Sequence, residues 1–245
     1  MSSKNKTQGN AAGGNAAGGD RRGFLRGSAL VTMMGLPVAA VVTSGSQVHA
    51  GDDKRDDKGD DKEDLRSQFE SIREHENAHV AALEDALRAK ARRKPEFQNL
   101  EQASFKQFLQ VSQALENVGV GAYLGAAPAI KSRAYLAAAG SIAFIEARHA
   151  GFLNYILGSP ITAGIKDLTE DRDFEYPLTA AEVRQQAGPF IKNLNGGPPI
   201  GYSANPADFG EANDIAILNF ALALEYLEAD FYNINVPKFY KPKRR

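Results

Sequence analysis

Two segments of the chain each carry a glutamate followed three residues later by a histidine: Glu76 with His79, and Glu146 with His149. Both pairs interrupt runs of apolar residues spaced alternately three and four apart, which is the spacing of one face of an α-helix. A glutamate in the middle of an apolar face is costly unless its charge is compensated. Residues three apart on a helix can reach one metal ion, so each pair is a candidate half of a metal site.

Two further helical stripes each carry one glutamate with a tyrosine seven residues later. One glutamate from each of two helices plus Glu-x-x-His from each of two others is the ligand set of di-iron and di-manganese bundles. We therefore predict a site for two divalent metal ions, iron or manganese, in which the paired glutamates bridge or chelate and each histidine binds one metal. The predicted ligands are Glu76, His79, Glu116, Glu146, His149 and Glu225.

Three neighbours of this set have two interpretations each. Tyr123 and Tyr232, which follow the single glutamates, are either plain core aromatics or redox or hydrogen-bonding partners and hence candidate catalytic residues. Glu228, one turn from Glu225, is either a fifth carboxylate near the site or a solvated residue at its edge. The alternative for the whole set is a group of buried salt bridges without metal, although buried unpaired carboxylates are rarely tolerated.

The four stripes predict an all-α fold, a four-helix bundle. The helices are expected at about 65–92, 104–123, 132–157 and 212–233, the last ending before Pro237. The 54 residues between the third and fourth helices, 158–211, are expected to be an irregular insertion with one short helix near 180–191. No window alternates well enough to predict a sheet.

The amino-terminal segment is typical of an export signal. Arg21 and Arg22, followed by Gly-Phe-Leu-Arg and a weakly apolar stretch to about Val42, resemble the twin-arginine signal, with a cleavage point after Ala50. The alternative is a membrane anchor, but the apolar stretch is shorter than a bilayer span requires. We expect a signal at 1–50, a charged linker at 51–64 and the bundle at 65–245. The partner is then the twin-arginine machinery, no stable span remains after cleavage, and the location is periplasmic or secreted.

Composition excludes several classes of function. The chain has no cysteine, which excludes disulfides, thiolate metal sites and cysteine nucleophiles. The first 50 residues hold five Lys or Arg and one acid, so the rest of the chain carries a net charge of −5 against −1 for the whole. An acidic product is a poor ligand for a phosphate backbone, and we expect no nucleic-acid partner.

His75-Glu76-x-x-His79 also matches the zinc-protease pattern, in which both histidines bind zinc and the glutamate is the general base. At about 100° per residue, the apolar face centres near Glu76, with His79 about 60° and His75 about 100° away. The bundle requires Glu76 and His79 to face inward and His75 to be peripheral, which is what this helical wheel gives. The sequence also offers no clear third zinc ligand.

Residues 217–232, ILNFALALEYLEADFY, look like the first-helix signature of the ferritin-like family that includes desiccation-related proteins, and segments 74–80, 119–123 and 146–149 resemble its other helices. The resemblance implies a ferritin-like four-helix bundle with a di-metal site. Because that signature comes last here, it also implies a circular permutation, with the family's first helix at the carboxyl end. Alternatively the last helix docks into a neighbouring molecule, which would give a swapped homo-dimer.

Two classes of function follow from these observations. The first is an exported di-iron or di-manganese protein that reacts with oxygen or peroxide, or handles the metal itself in stress protection. The second is a non-enzymatic structural or desiccation-type protein whose metal only stabilises the bundle.

Overall fold

The computed structural model describes residues 60–240, so the predicted signal, most of the predicted linker and the last five residues lie outside the described part of the chain. Four long helices and one short helix dominate it, joined by turns of 3-10 helix and one short strand pair. The elements are α1 Asp60–Leu87, β1 Glu96–Phe97, α2 Phe105–Ala126, α3 Arg133–Ile156, α4 Ala180–Ala187, β2 Ile191–Asn193 and α5 Glu211–Phe239. The predicted all-α bundle is confirmed.

An aromatic cluster at one end of the bundle fixes the directions of the long helices. Phe69 near the start of α1 packs against Phe108 near the start of α2, at a ring separation of 4.9 Å, and against Phe152 near the end of α3. Phe231 near the end of α5 stacks on Phe108. Helices α1 and α2 therefore run away from this end, and α3 and α5 run toward it. The connection from α3 to α5 must then cross the length of the bundle.

Helix α5 is the most enclosed element, because every residue from Ile217 to Ala229 is buried. Three buried polar side chains on this helix hold the neighbouring loops. Asp214 accepts hydrogen bonds from the backbone of Lys131 and Ser132 before α3, and Asn219 binds backbone groups just beyond α1. Asn235 accepts from the backbone N–H of Gln102 and donates to Leu100, before α2. Because buried polar groups need partners, these hydrogen bonds fix the position of each loop along α5.

The long connection between α3 and α5 is ordered over the face of α2. Leu178 donates its backbone N–H to Gly121 at 2.8 Å, and a Cβ on Gly125 would lie 1.9 Å from the carbonyl oxygen of Leu178. Both glycines are thus needed for this close approach. Just beyond, Thr179 and Glu182 form a reciprocal capping box that starts α4.

Three details differ from the sequence prediction. Helix α1 begins at Asp60, inside the predicted linker, and gives way to a 3-10 turn after Leu87. A strand pair joins β1 to β2 where no sheet was predicted, although it is only two to three residues long. Helix α5 continues through Pro237 to Phe239. Proline removes a single helical hydrogen bond, and the burial of Val236 and Tyr240 against the aromatic cluster outweighs that loss.

Among residues 60–240, none of the helices combines the length and the apolar character that crossing a membrane requires.

Candidate metal centre

The four long helices bring all six predicted ligands together in the interior. Helices α1 and α3 supply the Glu-x-x-His pairs, while α2 and α5 supply single glutamates. Four of the six, Glu76, Glu116, Glu146 and Glu225, are among the largest fully buried side chains, and His79 and His149 are also buried. Apolar side chains enclose the group on both sides along the bundle, so these polar groups have little contact with water.

The six side chains form two overlapping groups of four. In each group, one ligand atom from every residue lies within 4.8 Å of the others. Glu76 and Glu146 belong to both groups, Glu116 and His149 complete one, and His79 and Glu225 complete the other. The arrangement has an approximate two-fold relation that exchanges α1 with α3 and α2 with α5. It matches the predicted roles of shared glutamates and one histidine per position, but which atoms bind metal stays a prediction.

The two histidines direct the same ring nitrogen at the carboxylates. His79 Nδ1 lies 3.2 Å from Glu76, 3.1 Å from Glu146 and 3.2 Å from Glu225. His149 Nδ1 lies 3.0 Å from Glu76 and 3.1 Å from Glu116. Each imidazole therefore faces its own terminal glutamate and at least one of the shared ones.

The two tyrosines bond across the bundle. Tyr123 on α2 donates its hydroxyl to Glu225 on α5 at 2.5 Å, and Tyr232 on α5 donates to Glu116 on α2 at 2.6 Å. Both tyrosines are buried, so the interpretation as hydrogen-bonding partners is the one that the geometry supports. Each glutamate is thereby held by a residue from the facing helix rather than from its own.

Glu228 is buried with only 3% of its surface exposed, so it is not a solvated edge residue. It lies beside Glu146 at Gly119, where an added Cβ would come 2.6 Å from Glu146 Oε2 and 3.5 Å from Glu228 Oε1. Gly119 therefore leaves room for two carboxylates. The reason for a glycine at this position lies on other helices, so the sequence of α2 alone does not reveal it.

The negative charge of the centre exceeds the positive charge that its own residues supply. Burial and the neighbouring charges of Glu76 and Glu116 raise the pKa of Glu146 well above its usual range. Burial and the charge of Glu146 do the same to the pKa of Glu228. These shifts mean that the carboxylates resist sharing this space in their charged forms.

The pKa values of the two histidines are raised as well, which for an imidazole favours the charged form. Burial disfavours a charged imidazole, but the carboxylates of Glu146 and Glu225 outweigh it and raise the pKa of His79 well above its usual value. Burial opposes the charged form of His149 too, yet the charge of Glu116 and the bond to it raise the pKa of His149 to about 11. Two imidazolium charges do not balance five buried carboxylates.

Divalent metal ions fit this donor set. Glu146 Oε2 is a buried oxygen without a hydrogen bond, while Glu146 Oε1 and Glu76 Oε1 each contact only one imidazole, of His79 and His149 respectively. All three belong to the two glutamates that both groups share. Buried polar atoms are normally satisfied, so Glu146 Oε2 calls for a further partner. Carboxylate and imidazole ligands without thiolates suit iron, manganese or zinc.

Two open clefts flank α3 next to the centre. One, of about 280 Å³, lies between α2 and α3, has an almost wholly apolar wall and includes Tyr123. The other, of about 230 Å³, lies between α1 and α3 and includes His75 and His149. The helical wheel gave no sign of either cleft, because both depend on how neighbouring helices pack.

His75 occupies a position that the sequence prediction treated only as peripheral. Its side chain is exposed, and neither candidate metal group includes it. Its Nδ1 atom, however, lies 3.0 Å from His149 Nε2. His75 and His79 thus face different surroundings, unlike the two zinc ligands of the protease motif.

In the comparison with family models, the chain matches the ferritin-like domain over residues 38–159 and 213–243. Searches of the curated proteins and of the solved structures gave no significant match. The matched stretches make up more than half of the chain and contain all six candidate ligands, although the first begins ahead of the predicted cleavage point. The permuted helix order and the relation to desiccation proteins stay predictions. On this match and on the bundle that the helices form, the chain belongs to the ferritin-like domain family.

Proposed function

We propose that the chain is a two-metal protein, with iron or manganese, that reacts with oxygen or peroxide or handles the metal itself. We further propose that it is exported through the twin-arginine route to the periplasm or beyond and acts there in stress protection. The export proposal rests on the sequence of residues 1–50 alone. The metal proposal rests on the family and on the geometry of the buried cluster.

The observation that carries the metal proposal is the sharing of Glu76 and Glu146 by two groups of donors. A single metal would need one group of four donors, and a set of salt bridges would need cations to match the carboxylates. The cluster instead offers two overlapping groups, and Oε2 of the shared Glu146 lacks a hydrogen bond. That is the arrangement expected of two neighbouring divalent ions.

In this proposal Glu76 and Glu146 would hold both ions, Glu116 and His149 one of them, and His79 and Glu225 the other. The bound pair would supply Lewis-acid and one-electron chemistry toward a small oxidant. Tyr123 and Tyr232 fix the carboxylates of Glu225 and Glu116 through their hydroxyl protons. The apolar side chains on both sides exclude water from the centre, which strengthens every electrostatic contact within it.

The experiment measures the metal content of the exported protein by mass spectrometry, beside the variant Glu76→Gln/Glu146→Gln. About two irons or manganeses per chain, lost in the variant, are expected. The matched control is Glu74→Gln, an exposed glutamate on the same helix, which should keep both ions. A folded, helical wild-type protein without metal would contradict the proposal.

Redox turnover separates an enzyme from a protein whose metal is only structural. The metal-loaded protein is mixed with oxygen or hydrogen peroxide, and consumption of the oxidant is followed. Turnover above that of the metal-free protein supports the oxidant-reactive function. If metal binding raises the melting temperature but no oxidant is consumed, the metal only stabilises the bundle, and the oxidant-reactive function is wrong.

A further inference from the structure

The two Glu-x-x-His pairs differ in the residue that precedes the glutamate. On α1 this residue is His75, before Glu76, whereas on α3 it is Ile145, before Glu146. The approximate two-fold relation of the centre therefore fails at this position. An imidazole can form a hydrogen bond to a neighbouring ring, and an isoleucine side chain cannot.

His75 contacts the outer face of His149. The His75 Nδ1 atom lies 3.0 Å from His149 Nε2, and the two rings are nearly parallel, at 6°, with centroids 5.2 Å apart. His149 already directs its Nδ1 atom at Glu76 and Glu116. With Nδ1 bound to a metal ion, Nε2 would carry the proton of the neutral imidazole, and His149 would donate it to His75 Nδ1.

Within the described part of the chain, His79 has no equivalent partner. Its Nδ1 atom faces the carboxylates, as in His149, but no hydrogen bond reaches its Nε2 atom from any residue between 60 and 240. The difference matters because a partner on the outer nitrogen fixes the tautomer and orientation of a metal-binding histidine. Loss of such a partner typically lowers metal affinity about 10- to 100-fold.

His75 also lies between His149 and solvent. Both line the cleft of about 230 Å³ between α1 and α3, in which His75 is exposed and His149 only 5% exposed. The side chain of His75 therefore covers the solvent side of His149. A smaller or apolar side chain at this position would leave the outer nitrogen of His149 to water or to no partner.

We propose that His75 is a positioning residue which orients His149 and makes the two metal positions unequal, the Glu116–His149 position being the tighter. The inference deepens the proposed two-metal function and rests on it. It assigns the first histidine of the His-Glu-x-x-His sequence a role outside metal ligation. The order of metal loading then follows from a single hydrogen bond outside the ligand set.

The test titrates metal-free protein with Mn²⁺ under anaerobic conditions, using calorimetry for the affinities and electron paramagnetic resonance for the state of the ions. In the wild type, two unequal affinities are expected, with an isolated Mn²⁺ signal at one equivalent that gives way to a coupled pair at two. In His75→Ile, the tighter affinity should fall about 10- to 100-fold, while the weaker one stays unchanged.

Two further variants separate positioning from a general effect on the fold. His75→Asn places an amide oxygen near the position of Nδ1, so it should restore a large part of the lost affinity. Gln68→Ala, on the wall of the same cleft, should leave both affinities unchanged. Circular dichroism and thermal unfolding verify that each variant is folded.

The outcomes separate this inference from the function on which it rests. A wild type that binds two ions with the same affinities as His75→Ile would overturn the positioning role and leave the two-metal function intact. Loss of both ions in His75→Ile would also overturn it, since one position should be untouched. A folded wild type that binds no metal would overturn both.

Discussion

Tyr232, near the end of α5, donates its hydroxyl to Glu116 in the middle of α2 at 2.6 Å, and the bond is fully enclosed. The reciprocal bond runs from Tyr123 to Glu225. Each of these two helices thus contributes one tyrosine that donates a hydrogen bond and one glutamate that accepts a hydrogen bond from the other helix. The spacing of seven residues that the sequence shows twice places the tyrosine two turns beyond its own helix's glutamate, level with the glutamate of the antiparallel partner.

Loss of either hydroxyl should destabilise the metal-free protein. Tyr123→Phe and Tyr232→Phe each remove a bond to a buried carboxylate, and bonds to charged groups contribute about 1.5–3 kcal/mol. Urea unfolding followed by circular dichroism measures the change. The control is Tyr155→Phe, at a residue that is 72% exposed, and this change should alter the free energy of unfolding by less than about 0.5 kcal/mol. Equal losses of stability at all three positions would contradict a stabilising role for the two buried tyrosine–glutamate hydrogen bonds.

The metal-free protein should lose stability as the pH rises. The folded state raises the pKa of Glu146 and Glu228 above the ordinary value of 4.5, and that of His149 from 6.5 to about 11. A raised pKa means that the folded state holds more protons than the unfolded state. The resulting stability is complete below the unfolded pKa and is lost on the way up to the folded pKa.

The window for this loss therefore opens near 4.5, where the glutamates begin to titrate in the unfolded chain, and extends to about 11. Melting temperatures of metal-free protein across this range, at constant ionic strength, provide the measurement. The metal-loaded protein should depend less on pH, because bound cations replace the protons. A metal-free protein that becomes more stable with rising pH would show that the buried carboxylates are charge-balanced by other means.

A side chain at Gly119 should disturb the centre. The Cβ atom of Gly119→Ala would lie 2.6 Å from Glu146 Oε2, so the carboxylate must move, and both metal positions share Glu146. We expect weaker binding at both positions and a lower melting temperature. Gly140→Ala is the matched control, because a Cβ there meets no atom within 4 Å, and it should stabilise α3 by about 0.5–1 kcal/mol. Normal metal content in Gly119→Ala would show that Glu146 is not confined as described.

The export proposal has its own test in the arginine pair. Arg21→Lys/Arg22→Lys should leave the precursor unprocessed in the cytoplasm. A receptor recognises the twin-arginine signal, and lysine does not substitute for arginine in that recognition. Cell fractionation and immunoblotting follow the protein. Lys4→Arg/Lys6→Arg, outside the pair, should be exported and cleaved normally. Normal export of the twin-lysine variant would point to another route.

Periodicity alone was enough to predict the four long helices and the faces that they bury. Glu76 and Glu146 lie at the centres of apolar stripes, and any compact packing of those stripes brings them together. The ends of the helices were less predictable. A proline normally ends a helix, but Pro237 lies beside Val236 and Tyr240, whose burial against rings from other helices cannot be read from local sequence.

Features that join distant parts of the chain were the ones that the sequence did not predict. The approach of Leu178 to Gly121 and Gly125 depends on a connection whose course has no periodic pattern. The bond between His75 and His149 joins residues 74 positions apart. The helical wheel correctly placed His75 off the buried face, but a wheel describes one helix and carries no information about the neighbour on that side.

Helix α1 packs along α5, and α2 packs along α3. The second pair is a local hairpin that a growing polypeptide can form early, whereas the first joins the earliest and the latest helices of residues 60–240. A ribosome must therefore finish α5 before α1 has its partner and before Glu225 reaches His79. Synthesis of α5 therefore precedes completion of the centre, and a product terminated between α3 and α5 would carry all four donors of the Glu116–His149 position but would lack Glu225 for the His79 position.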